Sequence, residues 1–118
     1  ESFGFKYGIP KDADFVFDAR FLPNPHWIPD LKPLTGLDEP VIRFLEEDGE
    51  IFPFLDAAYS LVDASVKRYM ERGFSNLSIC FGCTGGQHRS VYLAERLSRT
   101  FPNEQVLLRH RQLPPTQA

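Results

Sequence analysis

The stretch from Ile79 to Leu97, ICFGCTGGQHRSVYLAERL, constrains the fold more than any other part of this sequence. Its apolar beginning predicts a strand over Leu77–Phe81, and the apolar spacing that follows predicts a helix over Ser90–Phe101. Between these two elements lies a segment rich in glycine that also carries an arginine. A strand, a glycine-rich turn and a helix in succession are typical of α/β folds.

The remaining elements predict an α/β domain with a small, mostly parallel sheet flanked by helices. Asp38 is a plausible N-cap for a short helix with Pro40 in its first turn. A longer helix is predicted over Pro53–Arg72, and Gly73 is well placed to end it in the left-handed conformation. Further strands are predicted at Phe3–Tyr7, Phe15–Phe17 and Val106–Leu108. The side chains expected to face inward from the two helices are Val41, Phe44, Leu45, Leu55, Ala58, Tyr59, Val62, Val66, Tyr69 and Met70.

The segment Phe21–Pro40 contains five prolines in 20 residues, which excludes a regular helix or a central strand. A loop of this length is usually disordered or functional. Its large apolar side chains argue against disorder because such groups usually pack on something. We expect an ordered loop that lies over a site, held by Phe21, Trp27, Leu31 and Leu37.

Composition bounds the class of protein. The chain has 118 residues, 42% of them hydrophobic, and we expect one domain over residues 1–112 followed by a disordered tail over 113–118. No stretch approaches the roughly 20 apolar residues of a membrane helix. A net charge of −3 makes the whole domain a poor electrostatic partner for nucleic acid. Two cysteines are too few for a secreted disulfide scaffold, so a cytoplasmic location is expected.

The loop after the Leu77–Phe81 strand has the composition of a phosphate-sized anion site. Glycines at 82, 85 and 86 can take positive φ and let the backbone approach a ligand. The following helix adds free N–H groups and the positive end of its dipole. An arginine can hold two phosphate oxygens at once. The alternative is a glycine-rich turn whose arginine pairs with a carboxylate. The candidate ligand-binding residues are Thr84, Gly85, Gly86, His88, Arg89 and Ser90, and neither a Walker loop nor a dinucleotide fingerprint is present.

A second interpretation of the same loop is catalytic. Cys83 to Ser90 fits C-x-x-G-x-x-R-S, which resembles the phosphate loop of cysteine-dependent phosphatases, with Cys83 as the alternative nucleophile. Such an enzyme also needs a general acid, for which Asp18 and Asp30 are candidates. Cys80 and Cys83 form a C-x-x-C pair, but a zinc site would need further ligands and a redox pair would normally sit at a helix start. No metal or cofactor is therefore expected.

Several long motifs together resemble one protein family. The stretches SFGFKYG, VFDARFLPNPHW, TGLDEPV and GCTGGQHRSVYLAERL are similar to the C-terminal domain of the RapZ/YvcJ family, the bacterial RNase adapter proteins. The similarity runs from Ser2 to Arg111. Members of that family carry an N-terminal P-loop nucleotide-binding domain, which implies such a domain, or a kinase-like domain of another type, upstream of this chain.

The resemblance also implies ligands. In some members this domain binds glucosamine-6-phosphate, and by position the contacts fall on His26, Thr84, Gly85 and Arg89. Some members bind small regulatory RNAs, with a Lys/Arg-rich tail. This chain has Gln87 where the family commonly has lysine, and keeps only Arg109 and Arg111 near its end, so RNA binding is the weaker expectation.

We therefore expect a non-catalytic sensor or adaptor domain that binds a phosphorylated small metabolite. Arg89 would hold the phosphate, and Thr84, Gly85 and Gly86 would supply donors. His26, Asn24 and Arg20 would close the site from the side of the proline-rich segment. The alternatives are a solvated or structural histidine at position 26 and a surface ion pair for Arg20.

Overall fold

The three strands are short and lie far apart in the sequence. A computed structural model describes residues 1–73, 76–101 and 106–114. Within these residues the strands are β1 (Ser2–Gly4), β2 (Phe15–Asp18) and β3 (Ile79–Cys83), and the helices are α1 (Glu39–Glu46), α2 (Ile51–Glu71) and α3 (Arg89–Arg99). Single 3-10 turns at Phe5–Tyr7 and Pro25–Trp27 follow β1 and β2.

All three strands are parallel, in the order β1-β3-β2. The central strand β3 is buried at four of its five positions, as expected for a parallel strand covered on both faces. Parallel pairing brings the carboxyl ends of the strands to one edge, where Gly4, Asp18 and Cys83 lie side by side. The predicted α/β class is confirmed, and ligands of such sheets bind beyond this edge.

The predicted strand at Val106–Leu108 is wrong. These three residues read as a strand because they are apolar and one is β-branched, yet Leu107 is 86% exposed. The outer edge of β1 is occupied instead by the residues that follow. Ser2 N donates to Arg109 O at 3.0 Å and Arg111 N donates to Ser2 O at 3.1 Å. The pairing is thus a single parallel bridge between Ser2 and His110.

Other predicted boundaries move by a few residues. The first strand ends at Gly4 because Phe5–Tyr7 turns away as a 3-10 helix. The central strand begins and ends two residues later than predicted. Helix α2 begins two residues earlier, at Ile51, after Gly49 with φ +77° and the N-cap residue Glu50. Gly73 ends that helix with φ +79°, as predicted. Residues 113 and 114 are described, whereas 115–118 of the predicted tail lie outside the described residues.

The core lies between the sheet and the helices. Phe81 on β3 stacks on Phe17 of β2 at 5.2 Å and meets Phe54 of α2 edge-on at 6.4 Å. On α3, the buried Tyr92 donates its hydroxyl to Glu46 Oε2 at 2.6 Å and so ties that helix to α1.

The side chains predicted to face inward are buried at Val41, Leu45, Ala58 and Val62. The prediction is wrong at Met70, which is 62% exposed, and at Tyr59, which is also exposed.

Helix α1 begins where the sequence predicts a short helix, after Asp38. Asp38 occupies the N-cap position of α1 with an extended backbone, although its carboxylate accepts from Thr35 N at 2.8 Å instead of capping the helix. Among the described residues, no helix is long and apolar enough to cross a bilayer.

The proline-rich segment packs down through fewer side chains than predicted. Leu22, Pro25 and Leu31 are buried, and the ring of Phe21 meets Phe54 of α2 edge-on at 5.2 Å although it is 65% exposed, whereas Trp27 is 77% exposed. The expected packing of Leu37 is also wrong, since its side chain is half exposed. A backbone hydrogen bond also joins the segment to the glycine-rich loop, from Gly36 N to Gln87 O at 2.9 Å.

That contact depends on the absence of a side chain at position 36. A Cβ there would lie 2.3 Å from His88 O and 2.7 Å from Tyr92 N. Both atoms belong to the backbone at the start of α3, so neither can swing aside.

We predict that Gly36→Ala lowers the free energy of unfolding by about 1–3 kcal/mol, the usual effect of overpacking a close contact. Urea denaturation measures this loss. Gly85→Ala is the matched control, because a Cβ at Gly85 meets nothing within 4 Å, and its unfolding curve should overlay that of the unmodified chain. Equal stability of Gly36→Ala and Gly85→Ala would contradict the contact.

Candidate functional site

The loop Thr84–His88 joins the end of β3 to the start of α3 at the carboxyl edge of the sheet. Only Gly86 takes positive φ, +74°; Gly82 and Gly85 do not, contrary to the freedom expected of all three. Gly82 is needed for space, since a Cβ would lie 2.5 Å from ring atoms of Phe3 and Phe5. The loop conformation therefore depends on a single left-handed residue.

The backbone carbonyls and the backbone amides of the loop differ in their hydrogen bonding. Three of its carbonyls accept hydrogen bonds: Thr84 O from Lys6 N, Gln87 O from Gly36 N and His88 O from Tyr92 N. In the part of the chain that the structure describes, the amides of residues 85–88 donate to no protein acceptor. The N-cap residue of α3 also makes no side-chain cap. The loop and helix start thus offer a group of backbone donors next to the positive end of a helix dipole.

Arg89 lies at the base of this loop and is 3% exposed. Its Nη1 donates to Arg20 O at 2.8 Å and to Leu22 O at 2.9 Å, which fastens the residues after β2. Its Nε is buried and has no acceptor among the described residues. No described carboxylate forms an ion pair with this guanidinium, so the alternative of an arginine paired with a carboxylate is not what the structure contains.

Burial is the main influence on that group. It lowers the pKa of Arg89, while nearby Cys83 and Asp18 act in the opposite direction. A buried cation is expensive unless an opposite charge or several acceptors face it. The two carbonyls and the side chain of Cys83 supply part of that compensation, and the Nε–H has no acceptor among the described residues.

Cys83 and Ser90 face each other at the foot of the loop. Their Sγ and Oγ atoms are 3.2 Å apart and both residues are buried, so the hydroxyl of Ser90 is engaged with the sulfur. Thr84, in contrast, is exposed. Cys80 and Cys83 lie three residues apart on one strand and therefore point to opposite faces. This arrangement does not suit a shared metal ion or a disulfide.

The rim of the site comes from the residues after β2. Arg20 forms a bidentate ion pair with Asp18, with Nη2 to Oδ2 at 2.7 Å, and its guanidinium lies 3.9 Å from the centre of the Phe5 ring. Hydrogen bonds from Arg20 lower the pKa of Asp18 despite some burial. A carboxyl held ionised in this way is a poor general acid, which weakens the phosphatase interpretation. Asp30, the other candidate acid, is exposed.

Asn24 and His26 lie further along the same segment. The side chain of Asn24 caps the 3-10 turn by accepting from His26 N at 3.1 Å. The imidazole of His26 is exposed and sits edge-on to the Trp27 ring, with 5.4 Å between ring centres. Burial is the main cause of the lowered pKa of His88, and the nearby His26 acts in the same direction.

His88 supports the site from below. It is 7% exposed and packs under the backbone of Leu31, Lys32 and Leu34, so it joins the glycine loop to the proline-rich segment. Burial lowers its pKa, and its Nε2 has no acceptor or donor among the described residues. The ring is thus placed to hold the loop and not to reach the surface.

The two arginines suggested for RNA binding lie elsewhere, along the outer edge of β1. Arg111 Nε and Arg109 Nη1 approach Glu1 Oε1 at 3.3 and 3.8 Å. Both charges are therefore partly offset by one carboxylate.

Two residues missed by the sequence reasoning border the site. Gly4 ends β1 against the loop, where a Cβ would lie 2.7 Å from Gly85 C, and its N–H donates to Gln112 Oε1 at 2.7 Å. A glycine in a short aromatic strand was the available signal for Gly4. Gln112 carries no local signature.

The lowered pKa of His88 predicts acid sensitivity. The folded state favours the neutral ring, so the associated stability is complete above the ordinary pKa of 6.5 and is lost as the pH falls through the lower folded value. We predict that the free energy of unfolding decreases between about pH 7 and pH 5, and that His88→Gln reduces this slope. Urea denaturation across that range measures it. His26→Gln serves as control, because His26 is exposed and is the smallest of the influences on the pKa of His88, so this variant should change the slope much less. An unchanged slope in His88→Gln would contradict the assignment.

Comparison with known proteins agrees with the earlier resemblance. The family model described as the RapZ C-terminal domain matches residues 1–114. A nucleotide-binding protein of Aeromonas hydrophila is 53% identical over 115 residues, which is 96% of this chain and 40% of that protein. Nucleotide-binding proteins of Pseudoalteromonas atlantica and Actinobacillus pleuropneumoniae are 55% and 50% identical, again over 96% of this chain and 41% and 40% of their lengths. The chain spans about two fifths of these relatives, and it belongs to the RapZ C-terminal domain family.

Proposed function

We propose that this domain binds a small molecule carrying a phosphate group, an amino-sugar phosphate such as glucosamine-6-phosphate, and that it acts as a regulatory or adaptor domain without turning the ligand over. The observation that carries the proposal is Arg89, a guanidinium only 3% exposed that has no carboxylate partner among the described residues. A cation in that position is stabilised by an anion that arrives from outside the chain.

The surroundings of Arg89 favour a phosphate in particular. The amides of residues 85–88, free of protein acceptors in the described structure, lie on the same loop and precede the start of α3. Several convergent N–H groups at a helix N-terminus match a tetrahedral oxyanion. The exposed hydroxyl of Thr84 adds a further donor. A dianion would therefore meet backbone donors from one side and a guanidinium from the other.

The rim would recognise the rest of the ligand. Arg20, Asn24 and His26 follow β2 and lie on the segment that Arg89 holds through two carbonyls. These three side chains are polar and could orient the sugar by hydrogen bonds. The loop would bind the phosphate. Ser90 and His88 would contribute by fixing the loop, since both side chains are buried.

The family and the length of the relatives support a wider role for the domain. The relatives with matched sequence are named nucleotide-binding proteins, and this chain covers about two fifths of them. We propose that a nucleotide-binding domain precedes this one in the whole protein, that the protein is cytoplasmic, and that ligand occupancy here is communicated to that domain. The proposal does not extend to RNA, because Arg109 and Arg111 already share Glu1.

The test is a calorimetric titration with glucosamine-6-phosphate, inorganic phosphate and glucosamine. The first two should bind and glucosamine should not. Arg89→Met should weaken phosphate binding by about 100-fold, in line with the loss of one member of a buried charge pair. Arg99→Met is the matched control on the same helix, since Arg99 is exposed and its ion-pair partner among the described residues is Glu95 at 3.8 Å.

Two outcomes would overturn the proposal. Binding of inorganic phosphate that is equal in Arg89→Met and Arg99→Met would place the anion elsewhere. Hydrolysis of a generic aryl phosphate that is abolished by Cys83→Ser would establish the phosphatase instead, with the sulfur 3.2 Å from Ser90 Oγ as its nucleophile.

A further inference from the structure

The residues Arg109–Gln112, here called the C-terminal strap, are fastened to the edge of the sheet beside the anion loop. Backbone hydrogen bonds join the strap to both sides of Ser2, from Ser2 N to Arg109 O and from Arg111 N to Ser2 O. These bonds hold the strap against β1, more than 100 residues earlier in the chain, as the separation of 108 between Ser2 and His110 shows.

His110 adds a second fastening, to the helix that carries Arg89. Its Nδ1 lies 2.7 Å from Ser2 Oγ, and its Nε2 lies 2.9 Å from Glu95 Oε1 on α3. The imidazole therefore links β1, the strap and α3 in one line of polar contacts. With a side chain only 11% exposed, it is well protected from water.

The end of the strap reaches the loop itself. Gln112 Oε1 accepts from Gly4 N at 2.7 Å, and Gly4 lies against the backbone of Gly85 and Gly86. A Cβ placed on Gly86 would lie 2.6 Å from Gly4 N and 2.8 Å from Gln112 Oε1. The carboxamide oxygen thus packs on the α-carbon of the one loop residue with positive φ.

We infer that Gln112 is a positioning residue for the anion loop, and that the C-terminal strap holds Gly86 in the conformation that directs the loop amides at the ligand. The inference rests on the proposed function, since it assigns the strap a part in the same site. By thermodynamic reciprocity, lifting the strap lowers anion affinity, and anion binding holds the strap down.

The test uses Gln112→Met, which keeps the length of the side chain but removes the acceptor for Gly4 N. Because Gly4 N would then lack its acceptor, the strap would hold the loop less firmly, and the dissociation constant for inorganic phosphate should rise about tenfold. The amide resonances of Gly85 and Gly86 should also shift in the phosphate-free variant, which a general loss of stability would not cause.

Arg111→Met is the matched control within the strap. It removes the ion pair with Glu1 at 3.3 Å but leaves the Gln112–Gly4 contact intact, so its phosphate affinity should stay within about twofold of the unmodified chain. Equal weakening by the two variants, or unchanged affinity in Gln112→Met, would overturn the inference.

The outcomes for the strap and for the proposed function can be separated. If the unmodified chain binds no phosphate, the proposed function fails. The amide spectra of the phosphate-free variants still test whether Gln112 positions the loop. Shifted Gly85 and Gly86 amides in Gln112→Met, but not in Arg111→Met, would support it, whereas unshifted amides would reject it.

Discussion

The pair of hydrogen bonds from Arg89 Nη1 to the carbonyls of Arg20 and Leu22 is the interaction on which the rest of this site depends. It joins the start of α3 to the residues that follow β2, across nearly 70 positions of sequence. A lysine could not replace it in full, because an ammonium has three donors on one atom, whereas the planar guanidinium serves two carbonyls from Nη1 and holds further N–H groups on its other two nitrogens. One side chain thereby builds the rim and supplies the charge at the base of the site.

Close backbone approaches complete the arrangement from the other two sides. Gly36 brings the proline-rich segment onto the carbonyl of Gln87, and Gly4 brings the end of β1 onto Gly85 and Gly86. In both places the space for a Cβ is already filled by backbone atoms. Three of the five loop carbonyls accept backbone hydrogen bonds, whereas the amides of residues 85–88 donate to no acceptor in the described part of the chain, and this asymmetry is the basis of the proposed anion site.

The local chemistry of the site could be read from the sequence, but its supports could not. Apolar periodicity predicted the strand and helix around Thr84–His88, and the composition of the loop pointed to an anion, because both signals lie within a few adjacent residues. The supporting contacts join residues 67 to 108 positions apart, and no local sequence pattern predicts them. They are the hydrogen bonds of Arg89 to main-chain carbonyls and the contact of Gln112 with Gly4. The false strand at Val106–Leu108 has the same origin, since apolar residues form a strand only where a sheet edge is available to pair with them.

The central claim is that an oxyanion binds between the loop amides and the guanidinium of Arg89. The most direct measurement is a nitrogen-15 NMR titration of the chain with inorganic phosphate that follows the backbone amides together with the Arg89 Nε–H signal. We predict saturable shifts at Gly85, Gly86, Gln87 and His88, accompanied by a shift of the Nε–H resonance, whose nitrogen has no acceptor in the described structure. Shifts confined to other parts of the sheet edge, with the Arg89 Nε–H signal unmoved at saturation, would contradict it.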